Sequence, residues 1–183
     1  DQEQATARRG RGEEQMPDLD SAASCPTFEE EAVRKVRSFL EERDFKVAIT
    51  CSEETIFTVE DASRVVGARP EEILKSLVLL VDDVPSLALM SGVNRVDVKK
   101  VRRHAGAKRV RMADPEFVLE WSGFRIGGVP PVGYPELPQA FLDEDLFLYP
   151  LVWAAAGTDH SFFPIAPEDL ARLTKGGRFD IKK

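Results

Sequence analysis

The sequence predicts an α/β domain built on a mixed β-sheet. The chain has 183 residues, of which 43% are hydrophobic and 31% are charged, and these values are typical of one globular domain with a substantial core. Helical patterns are interleaved with short apolar runs, without a regular β-α-β alternation and without an internal repeat. These observations indicate one domain in which strands and helices are mingled.

The domain is expected to span residues 27–183, after a flexible tail at residues 1–26. The tail is polar, mixed in charge and without periodicity, which is typical of a loosely ordered segment. Thr27 and Glu30 have the spacing of a capping box, so a helix of about four turns is predicted to begin there.

The remaining helical segments are marked by a capping side chain, an early proline or a final glycine. They are "TVEDASRVVG" (58–67), "RPEEIL" (69–74), "DVKKVRRHAG" (97–106), "DPEFVLEWSG" (114–123) and "PEDLARLT" (167–174). The predicted strands are apolar runs bounded by turn residues. They are "VAIT" (47–50), "KSLVLLV" (75–81), "SLALM" (86–90), "AKRVRM" (107–112), "QAFLD" (139–143), "LYPLVWAAAG" (148–157) and "SFFPIA" (161–166).

Composition excludes several classes of protein. The sequence contains no run of 18 apolar residues, so no membrane span is predicted. No signal peptide is recognised. Cys25 and Cys51 lack metal or redox spacing, so we expect free thiols and a cytoplasmic location. With two histidines in the chain and no nucleotide-binding fingerprint, neither a metal nor a cofactor is expected.

The loop "GFRIGGVPPVGY" (123–134) combines flexible and rigid residues. Gly127 and Gly128 permit backbone angles that other residues avoid, whereas Pro130 and Pro131 stiffen the chain that follows. This pattern favours a tight crossover loop, and it also suits a loop whose amides approach a ligand closely.

Lys75 begins the most apolar predicted strand. A lysine at this position either extends its ammonium into water, which is the commoner case, or points into a cleft. Ser76 is expected on the opposite side of the strand, because strand side chains alternate.

The segment from Arg95 to Arg111 is strongly basic in an acidic chain. It contains eight lysines or arginines and one aspartate, whereas the whole chain has a net charge of −7. This imbalance favours an anion-binding or phosphate-binding surface. Its candidate residues are Lys99, Lys100, Arg102, Arg103, Lys108, Arg109 and Arg111.

A second glycine-containing loop, "AAAGTDHSF", includes Gly157, Asp159 and His160. Its ordinary interpretation is a hairpin turn, and the alternative is a second loop that lines a site.

Five stretches in order resemble the YbaK family of aminoacyl-tRNA deacylases, which is related to the editing domain of bacterial prolyl-tRNA synthetases. They are "FTVEDASRVVG", "EEILKSLVLL", "VDVKKVRRHAGAKRVRMADPEFV", "SGFRIGGVPPVG" and "VWAAAGTDHSFFPIAPEDL", and the resemblance covers roughly residues 32–183. The resemblance implies a curved, mixed, mostly antiparallel sheet with helices around it.

The resemblance also implies hydrolysis of the ester between a mischarged amino acid and the 3′-end of tRNA. The family lysine corresponds to Lys75 and its glycine-proline loop to Gly127–Gly133, while the loop around Gly157 completes the pocket. The implied substrate-binding residues are Ser76, Ser91, Gly92, Gly127, Gly128, Val129, Pro130, Gly157, Asp159 and His160. Backbone amides near Gly127 and Gly128 would stabilise the developing oxyanion.

Departures from two branches of the family leave the substrate open. The cysteine-removing branch has a tyrosine near Thr50 and Cys51, an aspartate at the position of Phe162 and a threonine at the position of Ser76. The alanine-removing branch commonly has asparagine after the lysine and lacks this glycine loop.

We expect a hydrolase that removes a small uncharged amino acid from tRNA, with the tRNA for proline favoured and prolyl-tRNA synthetase a candidate partner. One alternative is a non-catalytic module on the same fold that binds tRNA or a synthetase. Another is a deacylase of a different small ester or amide. Retention of Lys75 together with both glycine loops favours the enzyme.

Overall fold

The computed structural model describes residues 30–54 and 56–183. The predicted tail at 1–26 and the capping residue Thr27 lie outside these residues. In the described chain the helices are α1 (Glu31–Glu41), α2 (Val59–Val66), α3 (Val98–Ala105), α4 (Pro115–Ser122) and α5 (Pro167–Thr174). The strands are β1 (Thr50–Cys51), β2 (Leu74–Val81), β3 (Val84–Ser91), β4 (Val110–Met112), β5 (Gln139–Asp143), β6 (Val152–Ala155), β7 (Ser161–Ile165) and β8 (Gly177–Phe179).

The capping side chains predicted for α2 and α4 are confirmed, and α3 has a capping side chain as well. Thr58, Asp97 and Asp114 each accept a hydrogen bond from a backbone N–H in the first turn of the helix that follows. Such bonds satisfy donors that have no partner within the helix. The same helices end, as predicted, at Gly67, Gly106 and Gly123, each with a positive φ angle.

Helix α1 is shorter than predicted. Glu30 has an extended backbone and makes no capping hydrogen bond through its side chain, so the helix begins at Glu31. The strand predicted at 47–50 is reduced to Thr50 and Cys51, which pair with β7. Cys51 is disulfide-bonded, so the expectation of a free thiol at this position is wrong.

The strands form a mixed, mostly antiparallel arrangement, as the resemblance implies, divided into two sheets. In the five-stranded sheet the order is β4-β2-β3-β5-β8. Strand β2 is antiparallel to β3 and β4, whereas β5 is parallel to β3 and β8. The three-stranded sheet, β1-β7-β6, is antiparallel. An isolated parallel bridge between Ile73 and Trp153 joins the two sheets.

The C-terminal half differs from the prediction in two places. The strand predicted at 148–157 is confined to β6, and a 3₁₀ helix at Glu144–Leu148 precedes it. Strand β8 was not predicted; it is three residues long and pairs with β5 at the edge of the larger sheet.

The five-stranded sheet separates two cores. On one side, here called the main-core face, alternate residues of β2 such as Leu74 and Val78 pack in the large cluster that includes α1 and β6. On the other side, the α3 face, Leu79 of β2 packs against Val101 of α3 and Ile181. No helix of the described residues is long and apolar enough to cross a membrane.

Candidate functional site

A cavity of about 340 Å³ lies along the open edge of β2. Strand β4 pairs with β2 only at Leu79–Val81, and the Ala113 N–H donates to the Val78 carbonyl. Residues 75–77 therefore have no strand partner on this side in the described chain. An unpaired edge leaves backbone polar groups available to a ligand.

The cavity wraps around this edge, because both faces of β2 contribute to its lining. Ser76 lies on the main-core face, whereas Lys75 and Leu77 lie on the α3 face, since strand side chains alternate. The complete lining comprises Ile56, Phe57, Thr58, Val59, Ala62, Ile73, Leu74, Lys75, Ser76, Leu77, Val78, Met112, Ala113, Val118, Ile126, Gly127, Val129, Ala155, Asp159 and Phe162.

Lys75 is half-buried at this cavity. Its ammonium donates a hydrogen bond to the backbone carbonyl of Asn94, in the turn after β3. Burial lowers the pKa of Lys75, and the nearby positive charge of Arg95 lowers it further. No carboxylate among the described residues forms an ion pair with Lys75, so its charge remains available to an anionic ligand.

Two further polar groups at the cavity are available to a ligand. The Ser76 hydroxyl and the Gly127 N–H have no hydrogen-bond partner within residues 30–54 and 56–183. Gly127 has a φ angle of 93°, which favours glycine. By contrast, the Gly128 N–H donates to the Arg125 carbonyl at 2.9 Å. Of the two adjacent glycine amides, only that of Gly127 is therefore without a partner among the described residues.

Gly128 and Gly157 have a packing role. A Cβ atom on Gly128 would lie 2.7 Å from the Cα of Thr158, and one on Gly157 would lie 2.6 Å from the carbonyl oxygen of Ala32. Both distances are too short for any side chain, so these glycines bring the two loops and α1 together.

Of the other predicted substrate-binding residues, two line the cavity, whereas Pro130 and His160 are not part of its lining. Val129 and Asp159 line it. The Pro130 carbonyl accepts a hydrogen bond from the hydroxyl of Tyr134 at 2.8 Å. His160 contacts Asp159 through Nδ1 at 2.9 Å and Glu30 through Nε2 at 3.2 Å.

Ser91 and Gly92 lie beside the start of β2 rather than in the lining. The Ser91 hydroxyl donates to the Glu71 carbonyl at 2.8 Å, and the Gly92 N–H donates to the Ile73 carbonyl at 2.6 Å. A Cβ on Gly92 would meet the Val59 side chain at 2.9 Å. These residues thus position β2 against the start of α2.

Sequence reasoning did not place the start of α2, or Met112 and Val118, in the site. Phe57 immediately precedes the N-cap of α2, where an apolar residue ordinarily packs against its own helix. Here Phe57 is instead 84% exposed while it lines the cavity, and Ile126 of the glycine loop is 57% exposed. The sequence signal that could have placed Phe57 in the site is its position directly before the N-cap Thr58.

The basic segment is only partly available for an external anion. Lys100 pairs with Asp180 at 3.0 Å, and Arg109 and Arg111 lie 3.4 and 3.9 Å from Asp83. The exposed Lys99, Arg102, Arg103 and Lys108 form no ion pair with another described residue. All of these side chains belong to α3 or to the β4 segment beside it.

A mixed α/β fold with a mostly apolar cavity, to which a half-buried lysine and a glycine loop contribute polar groups, has the features of a domain that binds small molecules. The model of the family described as "Aminoacyl-tRNA editing domain" matches residues 53–173. The chain belongs to this family.

Individual relatives agree with this membership. The chain is 31% identical over 144 residues to "Uncharacterized protein YwhH" of Bacillus subtilis, which covers 78% of this chain and 91% of the relative. It is 27% identical to "Putative Cys-tRNA(Pro)/Cys-tRNA(Cys) deacylase EbsC" of Enterococcus faecalis, covering 65% of this chain and 73% of that protein. It also matches "Proline--tRNA ligase" of Shouchella clausii at 37% identity, but spans 14% of that enzyme and 44% of this chain.

The fold is likewise similar to a solved structure. A crystal structure of "a putative trans-editing enzyme for prolyl tRNA synthetase" superposes with a TM-score of 0.80 at 40% identity, covering 85% of this chain and 99% of the other.

Proposed function

We propose that this protein hydrolyses the ester of mischarged aminoacyl-tRNA, with a small uncharged amino acid on the tRNA for proline as its substrate. The observation that carries the proposal is the group of available polar atoms at one cavity: the Lys75 ammonium, the Ser76 hydroxyl and the Gly127 N–H. Family membership supports the substrate class.

Each group has a distinct role in this proposal. The Gly127 N–H and the Ser76 hydroxyl donate to the carbonyl oxygen of the ester, where negative charge develops as water attacks. The water oxygen bonds to the carbonyl carbon, the bond from that carbon to the ribose oxygen breaks, and the ribose oxygen takes up the proton that the water loses to become the terminal hydroxyl. Lys75 lies on the α3 face, on the same side of the sheet as the basic segment, and contacts the phosphate of the terminal nucleotide.

An uncharged amino-acid side chain suits the cavity lining. Apart from Lys75 and the exposed Asp159, the lining consists of apolar or small uncharged residues such as Ala62, Val129 and Phe162. A second charge on the amino acid would be buried there without a partner, which is costly. The preference for the tRNA for proline is supported by the relatives, among them proline–tRNA ligases.

The test is a side-by-side deacylation assay of alanyl, seryl, cysteinyl and prolyl esters on the tRNA for proline. We expect fast hydrolysis of at least one of the first three and slow hydrolysis of the prolyl ester, which correct translation requires. Hydrolysis of none of the four, of the prolyl ester as fast as the others, or of large charged amino acids alone would contradict the proposal.

A further inference from the structure

A continuous set of polar contacts connects Lys75 with the end of the described chain. The first member is Asn94, whose backbone carbonyl accepts the hydrogen bond from Lys75. The Asn94 side-chain amide donates to a carboxylate oxygen of Asp145 at 3.0 Å, and its N–H donates to the Ser91 carbonyl at 3.0 Å. The partner of Lys75 is therefore itself held through both backbone and side chain.

Asp145 is in turn held by Lys182. Its second carboxylate oxygen lies 3.2 Å from the Lys182 ammonium, which also lies 3.3 Å from Glu144 and 3.4 Å from Asp180. Although partial burial lowers the pKa of Lys182, hydrogen bonds to Asp145 and Glu144 raise it above its usual value overall. Lys182 is thus charged across the ordinary pH range and binds several carboxylates at once.

The C-terminal residues also hold the backbone on the other side of Asn94. The Lys183 N–H donates to the Arg95 carbonyl at 2.9 Å, and the Asp97 N–H donates to the Ile181 carbonyl at 2.7 Å. The Ile181 N–H donates to the fully buried carboxylate of Asp143 at 3.1 Å. The turn that carries Asn94 is therefore fixed by a segment beyond residue 173, where the match to the family model ends.

We propose that Asn94 and Asp145 are positioning residues, which hold the Lys75 ammonium at the cavity through the Asn94 carbonyl and are themselves anchored by Lys182. Only the expected effect on the deacylation rate rests on the proposed function. A displacement of a reacting or binding group by about 1 Å can cost about a hundredfold in rate. Residues that fix the orientation of a functional group can therefore affect the rate without touching the substrate.

Glu144 offers a matched control. It precedes Asp145 in the chain and also binds Lys182, but it makes no hydrogen bond with Asn94. If the acidic residues only stabilise the C-terminal segment through Lys182, then Glu144→Ala and Asp145→Ala should have the same effect. If Asp145 positions Lys75, only Asp145→Ala of these two variants should alter kcat and the acetylation rate of Lys75.

The kinetic experiment compares Asn94→Ala, Asp145→Ala, Asp145→Asn and Glu144→Ala at a temperature where circular dichroism shows all four to be folded. For Asn94→Ala and Asp145→Ala we expect kcat to fall about tenfold with KM nearly unchanged, since positioning acts on the transition state. Asp145→Asn should retain most of the activity, because its amide oxygen still accepts from Asn94. Wild-type kcat in folded Asn94→Ala and Asp145→Ala would overturn the proposal.

A second readout does not depend on deacylation. Acetic anhydride acetylates accessible unprotonated amines, and mass spectrometry of peptides gives the rate at Lys75 relative to exposed Lys99. Loss of the Asn94 acceptor geometry disfavours the charged form and exposes the amine, so acetylation of Lys75 should accelerate at least threefold in Asn94→Ala and Asp145→Ala but not in Glu144→Ala. If acetylation of Lys75 accelerates in these two variants but the wild-type protein does not deacylate tRNA, the positioning network is supported and the proposed function is refuted. Equal acetylation rates of Lys75 in the wild type and in these three variants would refute the positioning network.

Discussion

The main-core face and the α3 face of the five-stranded sheet meet at the same open edge of β2, yet they present different chemistry there. On the main-core face the cavity is lined by apolar side chains together with the Ser76 hydroxyl. On the α3 face lie Lys75 and the basic segment, with exposed cations such as Arg102 and Arg103. The difference indicates that the uncharged and the anionic parts of a substrate would contact opposite faces of one strand.

The largest expected effect is that of Lys75→Ala. We expect the deacylation rate to fall by about two to three orders of magnitude, because without the ammonium the terminal phosphate no longer positions the ester at the oxyanion donors. The fold should persist, because the lysine is half-buried and contributes little packing. Single-turnover assays measure the rate, with exposed Lys46→Ala as the control. A wild-type rate in purified Lys75→Ala would remove this residue from the mechanism.

The next largest effect is expected for charge reversal of Lys99, Arg102 and Arg103 to glutamate. Binding of tRNA should weaken, and each lost phosphate contact should lower the salt slope by about 0.7 to 0.9. Hydrolysis of a minimal aminoacyl ester should not change, because these three side chains are not part of the cavity lining. Reversal of Arg34 and Lys35 on α1 is the control, and an unchanged salt slope in the triple variant would place tRNA binding elsewhere.

Glycine substitutions extend the comparison to stability. Gly157→Ala, in the loop between β6 and β7, places a Cβ 2.6 Å from the backbone oxygen of Ala32, whereas Gly106→Ala at the end of α3 meets nothing within 4 Å. Both have positive φ angles, so Gly106→Ala should cost about 1 kcal/mol and Gly157→Ala about 1–3 kcal/mol more. Urea denaturation with a common slope measures the difference, and equal losses would mean that the loop shifts without cost.

The smallest effects are expected at the two helix caps. Thr58→Ala removes the cap of α2 at the cavity, and Asp97→Ala removes the cap of α3 on the other face. Each should lower the free energy of unfolding by about 1 kcal/mol. Only Thr58→Ala should also change the deacylation rate, because Thr58 lines the cavity. A rate change of similar size in Asp97→Ala would show that the two faces are not independent.

Local features of the fold were predictable, because they depend on residues close in sequence. The N-caps Thr58, Asp97 and Asp114 and the hairpin of β2 and β3 follow from short patterns. The pairing of β8 with β5 depends on contacts distant in sequence, and three residues give no periodic signal. The disulfide of Cys51 left no trace in the cysteine spacing.

The site was predictable to a similar degree. The resemblance indicated Lys75 and the glycine loop, and the structure brings both to the cavity lining. The contributions of Met112 and Val118 depend on where β4 stops pairing with β2, which only the three-dimensional structure specifies. Folded geometry rather than residue type also determines that the Gly128 N–H donates to the Arg125 carbonyl and that Asp145 accepts from Asn94.

The turn between β2 and β3 has a consequence for how this sequence can change its length. Asp82 and Asp83 occupy the two-residue turn with φ angles of 47° and 65°, and the register that follows sets Lys75 opposite Met90 and Ser76 opposite Leu89. A slip of one residue moves every side chain of a strand to the other face. A one-residue insertion in this turn that shifted β2 against the sheet would exchange the faces of Lys75 and Ser76. Surface turns ordinarily tolerate insertions, whereas here the length of a remote turn determines which face of the strand carries the ammonium and which carries the hydroxyl.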